Sequence, residues 1–350
     1  MLTSILVIKN LWLKAFLCLI TSYLLGVFSI KKYIKIMNQK NLFQPIRADG
    51  PQTHLKNKKT TPTMGGIFII LATIFTTILF VDLKNQYVLI VTIIMLCFAI
   101  IGLIDDLMKV LFKNSKGFRG SYRIVIQFTI IGLAFLGLMK INTEHGNGQI
   151  FIPFGQNSEL ILPLVLYILF VNLVIVGSSN AFNLTDGLDG LASVPAIINL
   201  TCLIILIYCS SSPSVAANLK IPHVYHAGEL IFFCIALMGA IMAFLTYNFK
   251  PAKIFMGDVG SLGIGSVLGI IAIIIKQEIV FFIISLLFVI EALSVILQVA
   301  SYKIRKKRIF LMAPIHHHFE KQGWSEQKVV TAFWLAALFF ALVGMLIFFI

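Results

Sequence analysis

Ten stretches of this 350-residue chain are apolar over lengths that approach or meet what a helix needs to cross a bilayer. They lie near 11–30, 64–83, 87–108, 124–140, 159–178, 190–209, 227–246, 260–276, 279–300 and 330–349. A helix crossing the hydrocarbon core takes ~20 mostly apolar residues, so the shorter runs are marginal by length alone. Composition agrees: 59% of residues are hydrophobic and 12% charged, too little charge for a soluble globular domain. The chain is expected to be an all-α, polytopic membrane protein with about ten transmembrane helices, forming one membrane-integral unit over residues 1–350. The first span lacks a small-residue cleavage site and outruns a signal-peptide core, so it reads as a retained anchor. Cys18, Cys97, Cys202, Cys209 and Cys234 all fall within or at the edge of spans, with no C-x-x-C pair. They read as small core hydrophobes, with little support for disulfides or zinc.

The net charge of +14 raises the question of nucleic acid, and its distribution answers against it. If successive loops face alternate sides, most Lys and Arg fall after spans one, three, five, seven and nine. Basic loops mark the cytoplasmic side. Both termini are therefore expected outside, with segments 31–63, 105–123, 179–189, 247–258 and 301–329 cytoplasmic. Topology and attraction to anionic lipid account for most of the basic residues.

They do not account for the acids. Five of the seven Asp, namely Asp105, Asp106, Asp186, Asp189 and Asp258, gather at the cytoplasmic ends of spans three, six and eight. Ionised groups near a membrane core are costly and tend to be functional. Capping or solvation explains one such Asp; five on one face, beside Asn and Gly, point to a site. In IGLIDDLMKV, adjacent Asp105 and Asp106 repel unless a cation neutralises them. A divalent metal can do so, as can Lys109 and Lys113, which share a helical face with Asp106; the alternative is a charged helix end with ordinary ion pairs. In SSNAFNLTDGLDGLA, Asn180, Asn183, Asp186 and Asp189 recur every third residue and would share one helix surface. That loop carries no Lys or Arg. In YNFKPAKIFMGDVGSLGIG, Asn248, Lys250 and Lys253 precede Asp258. Magnesium takes one or two carboxylates and completes its shell with water and phosphate oxygens, and Asp258 ahead of a helix N-terminus suits such a ligand. The glycines after it serve tight helix packing equally well.

Two loops complete the polar inventory. DGPQTHLKNKKTTPTMGG offers Lys56, Lys58, Lys59 and Thr63 to phosphates, or is simply a basic flank. KIRKKRIFLMAPIHHHFEKQGW carries His316, His317 and His318. Adjacent residues on a helix diverge by ~100°, which argues against zinc and for hydrogen bonding to phosphate or hydroxyl groups. Glu291, inside the ninth span, marks either a polar groove or a helix break. With no P-loop, dinucleotide fingerprint or nucleophile elbow in the chain, magnesium-assisted phosphoryl chemistry on a substrate reached from the cytoplasm is the economical reading.

The quoted segments, with APIHHHFEKQGW, resemble the phospho-N-acetylmuramoyl-pentapeptide transferases from about residue 31 to 335, in similar order and spacing. The Asp-bearing segments resemble the wider polyprenyl-phosphate N-acetylhexosamine-1-phosphate transferases (glycosyltransferase family 4), and the histidine run resembles the muramoyl-pentapeptide branch. Thr60 departs from that pattern, which more often has Gly. The resemblance implies UDP-N-acetylmuramoyl-pentapeptide and undecaprenyl phosphate as substrates, Mg2+, a homodimer and the bacterial cytoplasmic membrane. It implies Asp258 as metal ligand, Asp105 and Asp106 as catalytic carboxylates, and Lys58, Thr63, Asn183, Asp186, Asn248 and His316 as site lining. Phe255 is similar to a uracil-stacking aromatic, with Asp189 and Gln298 in its pocket. Three alternatives differ in legible ways. A related transferase for another envelope polymer should lack the histidine run. A transporter should place its polar residues at mid-membrane, commonly in inverted repeats. A membrane scaffold has no use for five aspartates on one face.

Overall fold

The structure is a computed structural model and describes residues 8–40, 61–112, 117–141, 148–153 and 159–350. The long helices are α1 (Leu11–Lys40), α2 (Gly66–Phe80), α3 (Gln86–Leu111), α4 (Gly120–Ile141), α5 (Leu164–Thr185), α6 (Ser193–Ser211), α8 (Glu229–Asn248), α9 (Gly257–Ile274), α11 (Leu286–Arg305) and α13 (Glu326–Phe349). Short helices α7 (Pro213–Leu219), α10 (Glu278–Ile284) and α12 (Ile315–Lys321) lie between them, and strands β1 (Gln149–Phe151) and β2 (Glu159–Ile161) form an antiparallel pair. The protein is an all-α polytopic membrane protein. Among the described residues nine helices are long and apolar enough to cross a membrane, and α2 is a shorter apolar helix of 15 residues. At 1.5 Å per residue it spans about 22 Å, short of a ~30 Å core. The backbone ahead of it is satisfied from inside the protein: Phe255 N–H donates to Pro62 O (2.8 Å), Gly65 N–H to Phe255 O (2.9 Å) and Gly66 N–H to Met256 O (2.8 Å).

Two expectations are corrected. The ninth apolar run is not one helix: it breaks at Ser285 into α10 and α11. Several helices also continue past the expected loop boundaries. α1 reaches Lys40, and α3 reaches Leu111, which puts Asp105 and Asp106 inside a helix.

The centre of the bundle is α9, buried along almost its whole length. Its glycines allow that position. A Cβ at Gly102 of α3 would collide with the backbone of Asp258 and Val259, and one at Gly265 would lie 2.7 Å from Ser179 Cα. Small residues thus let α3, α9 and α5 meet backbone to backbone, where dispersion between helices does what hydrophobic exclusion cannot do in lipid. Ser178 and Ser179 donate to Gly265 O and Leu262 O at 2.8 and 2.9 Å. Interhelical hydrogen bonds of this kind contribute about 0.6 kcal/mol each, so close packing is the larger effect. Aliphatic and aromatic side chains such as Leu71, Phe75, Leu89, Ile93 and Ile100 face outward, as a lipid-contacting surface requires.

Candidate active site

Four helix termini meet at one end of the bundle. Asp105, Asp106 and Lys109 lie in the last turns of α3, Arg123 in the first turn of α4, Asn183 in the last turn of α5 and Asp258 in the first turn of α9. Gly257 begins α9 at φ +77°, and a side chain there would run into Asp106, so a glycine is needed to bring Asp258 beside the Asp pair. The helical spacing of α3 places Lys109 on the same face as both its acids. Its Nζ pairs with Asp105 and lies 3.1 Å from Asp258 Oδ2 and 3.9 Å from Asp106 Oδ1. Arg123 reaches Asp258 Oδ2 at 3.2 Å and Asn180 Oδ1 at 3.3 Å. Asn183 donates to Asp258 Oδ1 and to Ser261 Oγ, each at 2.8 Å. Asp106 Oδ2 accepts from Val259 N–H at 3.1 Å, while its Oδ1 is buried without a hydrogen-bond partner.

Carboxylate oxygens of Asp105, Asp106 and Asp258 lie within 4.8 Å of one another. Three hard anionic donors on two rigid helices, one with an unmet lone pair, fit a divalent cation. Lys109 and Arg123 balance the charge.

The chemistry these groups suit is matched by what the chain resembles across nearly its full length. It is 43% identical over 329 residues to the phospho-N-acetylmuramoyl-pentapeptide-transferase of Francisella philomiragia, covering 93% of this chain and 90% of that one. The protein of the same name from Desulfatibacillum aliphaticivorans is 47% identical over 327 residues, 93% of this chain and 89% of the other. That of Pelobacter propionicus is 45% identical over 338 residues, 97% and 93%. The chain belongs to the phospho-N-acetylmuramoyl-pentapeptide transferase family. Residues 87–276 also match the model of glycosyl transferase family 4, and that stretch holds Asp105, Asp106, Asn183 and Asp258.

Within this transferase, a second polar group surrounds the 186–192 turn. The three-residue series does not run along one helix surface, because α5 ends at Thr185 and Asp186 is its C-cap. Asn180 and Asn183 stay with Asp258, whereas Asp189 lies beyond the helix, its Oδ2 accepting from Ala252 N–H at 3.0 Å. Asn248 Oδ1 accepts from Gly190 N–H at 2.8 Å and its Nδ2 donates to Ile254 O at 2.9 Å. Lys250 pairs with Glu326 at 3.2 Å, and Glu326 accepts from Asp189 N–H. Asn248 therefore ties the turn to the strand-like segment carrying half-buried Phe255. Thr63 is buried, its carbonyl accepting from the Tyr33 hydroxyl at 3.0 Å.

The histidines divide their work. His316 is buried against Glu291, Nδ1 to Oε1 3.0 Å; His317 pairs with Glu320 at 2.7 Å; His318 Nδ1 accepts from Leu311 N–H at 3.1 Å. Gln298 accepts from Ile309 and Phe310 N–H and donates to Phe310 O, pinning the loop after α11. Gln298, Tyr302, Lys303, Arg308 and Lys321 line a cleft of about 460 Å³ there. Lys58 and Lys113 lie outside the described residues. Sequence reasoning missed Arg123, Ser261 and Glu326. Arg123, one of two arginines in KGFRGSYR, looks like any residue of a basic flank, and only the fold turns it onto Asp258.

Proposed function

We propose that the chain transfers phospho-N-acetylmuramoyl-pentapeptide from UDP-N-acetylmuramoyl-pentapeptide to undecaprenyl phosphate, forming the lipid-linked diphosphate and UMP in peptidoglycan synthesis. The observation that carries this reading is the convergence of Asp105, Asp106 and Asp258 within 4.8 Å in a chain 43–47% identical to transferases of that name. A lipid phosphate oxygen attacks the β-phosphorus, a new P–O bond forms, and the bond to the α-phosphate oxygen breaks with UMP taking the electron pair. Asp258, with Asp105 and Asp106 beside it, would hold Mg2+, which when bound would supply charge neutralisation for the diphosphate and the leaving group. Asp105 or Asp106 receives or orients the proton of the acceptor phosphate. Lys109 and Arg123 hold anionic oxygens at the same point, which is a proximity contribution; Lys58 and Lys113 are assigned as further phosphate-binding cations from the sequence alone. Asn183, Asp186, Asp189, Asn248, Thr63, Phe255, Gln298 and the three histidines line the nucleotide-sugar side.

The exposed lysines and arginines at this end, including Lys31, Lys32, Lys35, Arg305, Lys306 and Lys307, support a cytoplasmic orientation for the site. The start of α1 and the end of α13 then face outside the bacterial cytoplasmic membrane, and a homodimer belongs to the same reading. The deciding assay is UMP release in detergent with and without Mg2+ and polyprenyl phosphate. Asp258→Asn should lower turnover by about a thousandfold or more with expression intact; full activity in that variant removes Asp258 from the reaction. Exchange of labelled UMP into the nucleotide sugar without lipid acceptor would instead support an Asp nucleophile and a covalent intermediate.

A further inference from the structure

The helix break in the ninth apolar run lies at Ser285 and leaves Glu291 unexplained. Glu291 sits in the body of α11 with no solvent exposure. A carboxylate in such a place is costly, and an apolar side chain of similar size would pack at least as well. Its Oε1 lies 3.0 Å from Nδ1 of His316, which is itself 1% exposed. With Glu291 ionised, and so able only to accept, this contact puts the proton on Nδ1. The pair is built like the acid and imidazole of a catalytic triad, in which the acid sets the tautomer and aims the other nitrogen.

Nε2 of His316 is buried without a hydrogen-bond partner. What covers it is Gly187: a carbon added there would collide with Nε2 and Cε1. Gly187 is itself exposed, in the turn joining Asp186 to Asp189. An unmet hydrogen-bonding atom therefore lies just beneath an open surface, separated from it by a residue with no side chain. A buried polar atom left unpaired is unfavourable unless a bound group satisfies it.

We propose that Glu291 is a positioning residue of the transfer reaction, holding His316 in the tautomer and orientation that offer Nε2 to the nucleotide sugar beside the Gly187 turn. This deepens the transferase reading and rests on it. Nε2 accepts from a hydroxyl or amide of the substrate, and Glu291 acts only through the imidazole.

The experiment uses the full chain in detergent with UDP-N-acetylmuramoyl-pentapeptide and undecaprenyl phosphate. Glu291→Gln keeps the shape but its amide can donate to Nδ1, which moves the ring proton to Nε2. Its KM for the nucleotide sugar should rise on the order of tenfold, with a smaller change in kcat. The double variant Glu291→Gln with His316→Ala should match His316→Ala within about twofold, because both act through one group. In 15N spectra of histidine-labelled protein, the resonance lost in His316→Ala should report a protonated Nδ1 in the parent and a protonated Nε2 in Glu291→Gln. An active parent with an indifferent Glu291→Gln, or losses that add in the double variant, overturns this inference alone. So does an unchanged tautomer with a loss that follows a falling melting temperature. A parent inactive on this substrate pair overturns the transferase reading and this inference with it.

Discussion

Lys109 offsets repulsion within the acidic cluster. Two carboxylates 4 Å apart repel by about 4 kcal/mol at an effective dielectric of 20, and three of them lie within 4.8 Å here. Lys109 pairs with Asp105 and Asp258 and faces Asp106, so the helix that brings the Asp pair also brings its counter-ion. The same lysine competes with any cation for those oxygens. Lys109→Met should therefore lower transfer by about tenfold or more while making the protein more responsive to divalent ions. The measurement is the melting temperature in detergent as MgCl2 is titrated: a larger Mg2+-induced rise than in the parent is expected. An equal or smaller rise would mean that Lys109 and the ion do not share these acids. Arg123, on a different helix, supplies the second cation and links α4 to Asp258.

At the scale of elements, α9 organises both ends of the bundle. Its first turn carries Asp258. The turn after its last residue carries Lys276 and Glu278, both almost fully buried and close to β1. Lys276 Nζ donates to the Tyr167 hydroxyl at 2.8 Å and toward Gln149 O at 3.4 Å, and burial pulls its pKa down. Burial pushes the Glu278 carboxyl up from 4.5 to about 7, with Lys276 and the Glu278 backbone N–H pulling partly the other way. Between those two values the folded protein keeps a proton that the unfolded chain releases. Stability attributable to Glu278 thus falls as pH rises across that window and is level above it. Glu278→Gln should raise the melting temperature relative to the parent more at pH 8 than at pH 5. A larger gain at pH 5, or a loss at pH 8, would mean the ionised carboxylate is stabilising. The break at Ser285 has a related consequence: it frees α11 to carry Glu291 to His316 and Gln298 to the loop after it.

For the whole molecule, the testable property is sidedness. The carboxylate cluster and the exposed basic residues of the α11–α12 connection share one end, whereas Lys220, at the end of α7, lies at the other. The five native cysteines are buried or half-buried, which keeps background labelling low. Cysteines placed at Lys307 and Lys220 should react with an impermeant thiol reagent from opposite faces of membrane vesicles, Lys307→Cys from the cytoplasmic face. Reaction of both from one face would dismantle the topology and, with it, access of a cytoplasmic nucleotide sugar to Asp258.

Run length and composition were enough for the all-α polytopic class, because a ~30 Å apolar core accepts little else. Local motifs were enough to single out Asp105, Asp106, Asn183 and Asp258, which the fold brings together, because helix spacing and a glycine before a helix start are local properties. Arg123 meeting Asp258 and Glu291 meeting His316 were not legible, since each pair is far apart in the chain and a lone charge in a flank or span reads the same whether it is used or not. The centrality of α9 and the break at Ser285 belonged to tertiary structure for one physical reason. Lipid and protein interior are both apolar, so hydropathy reports that a segment avoids water and is silent on which neighbour it packs against or where its backbone turns.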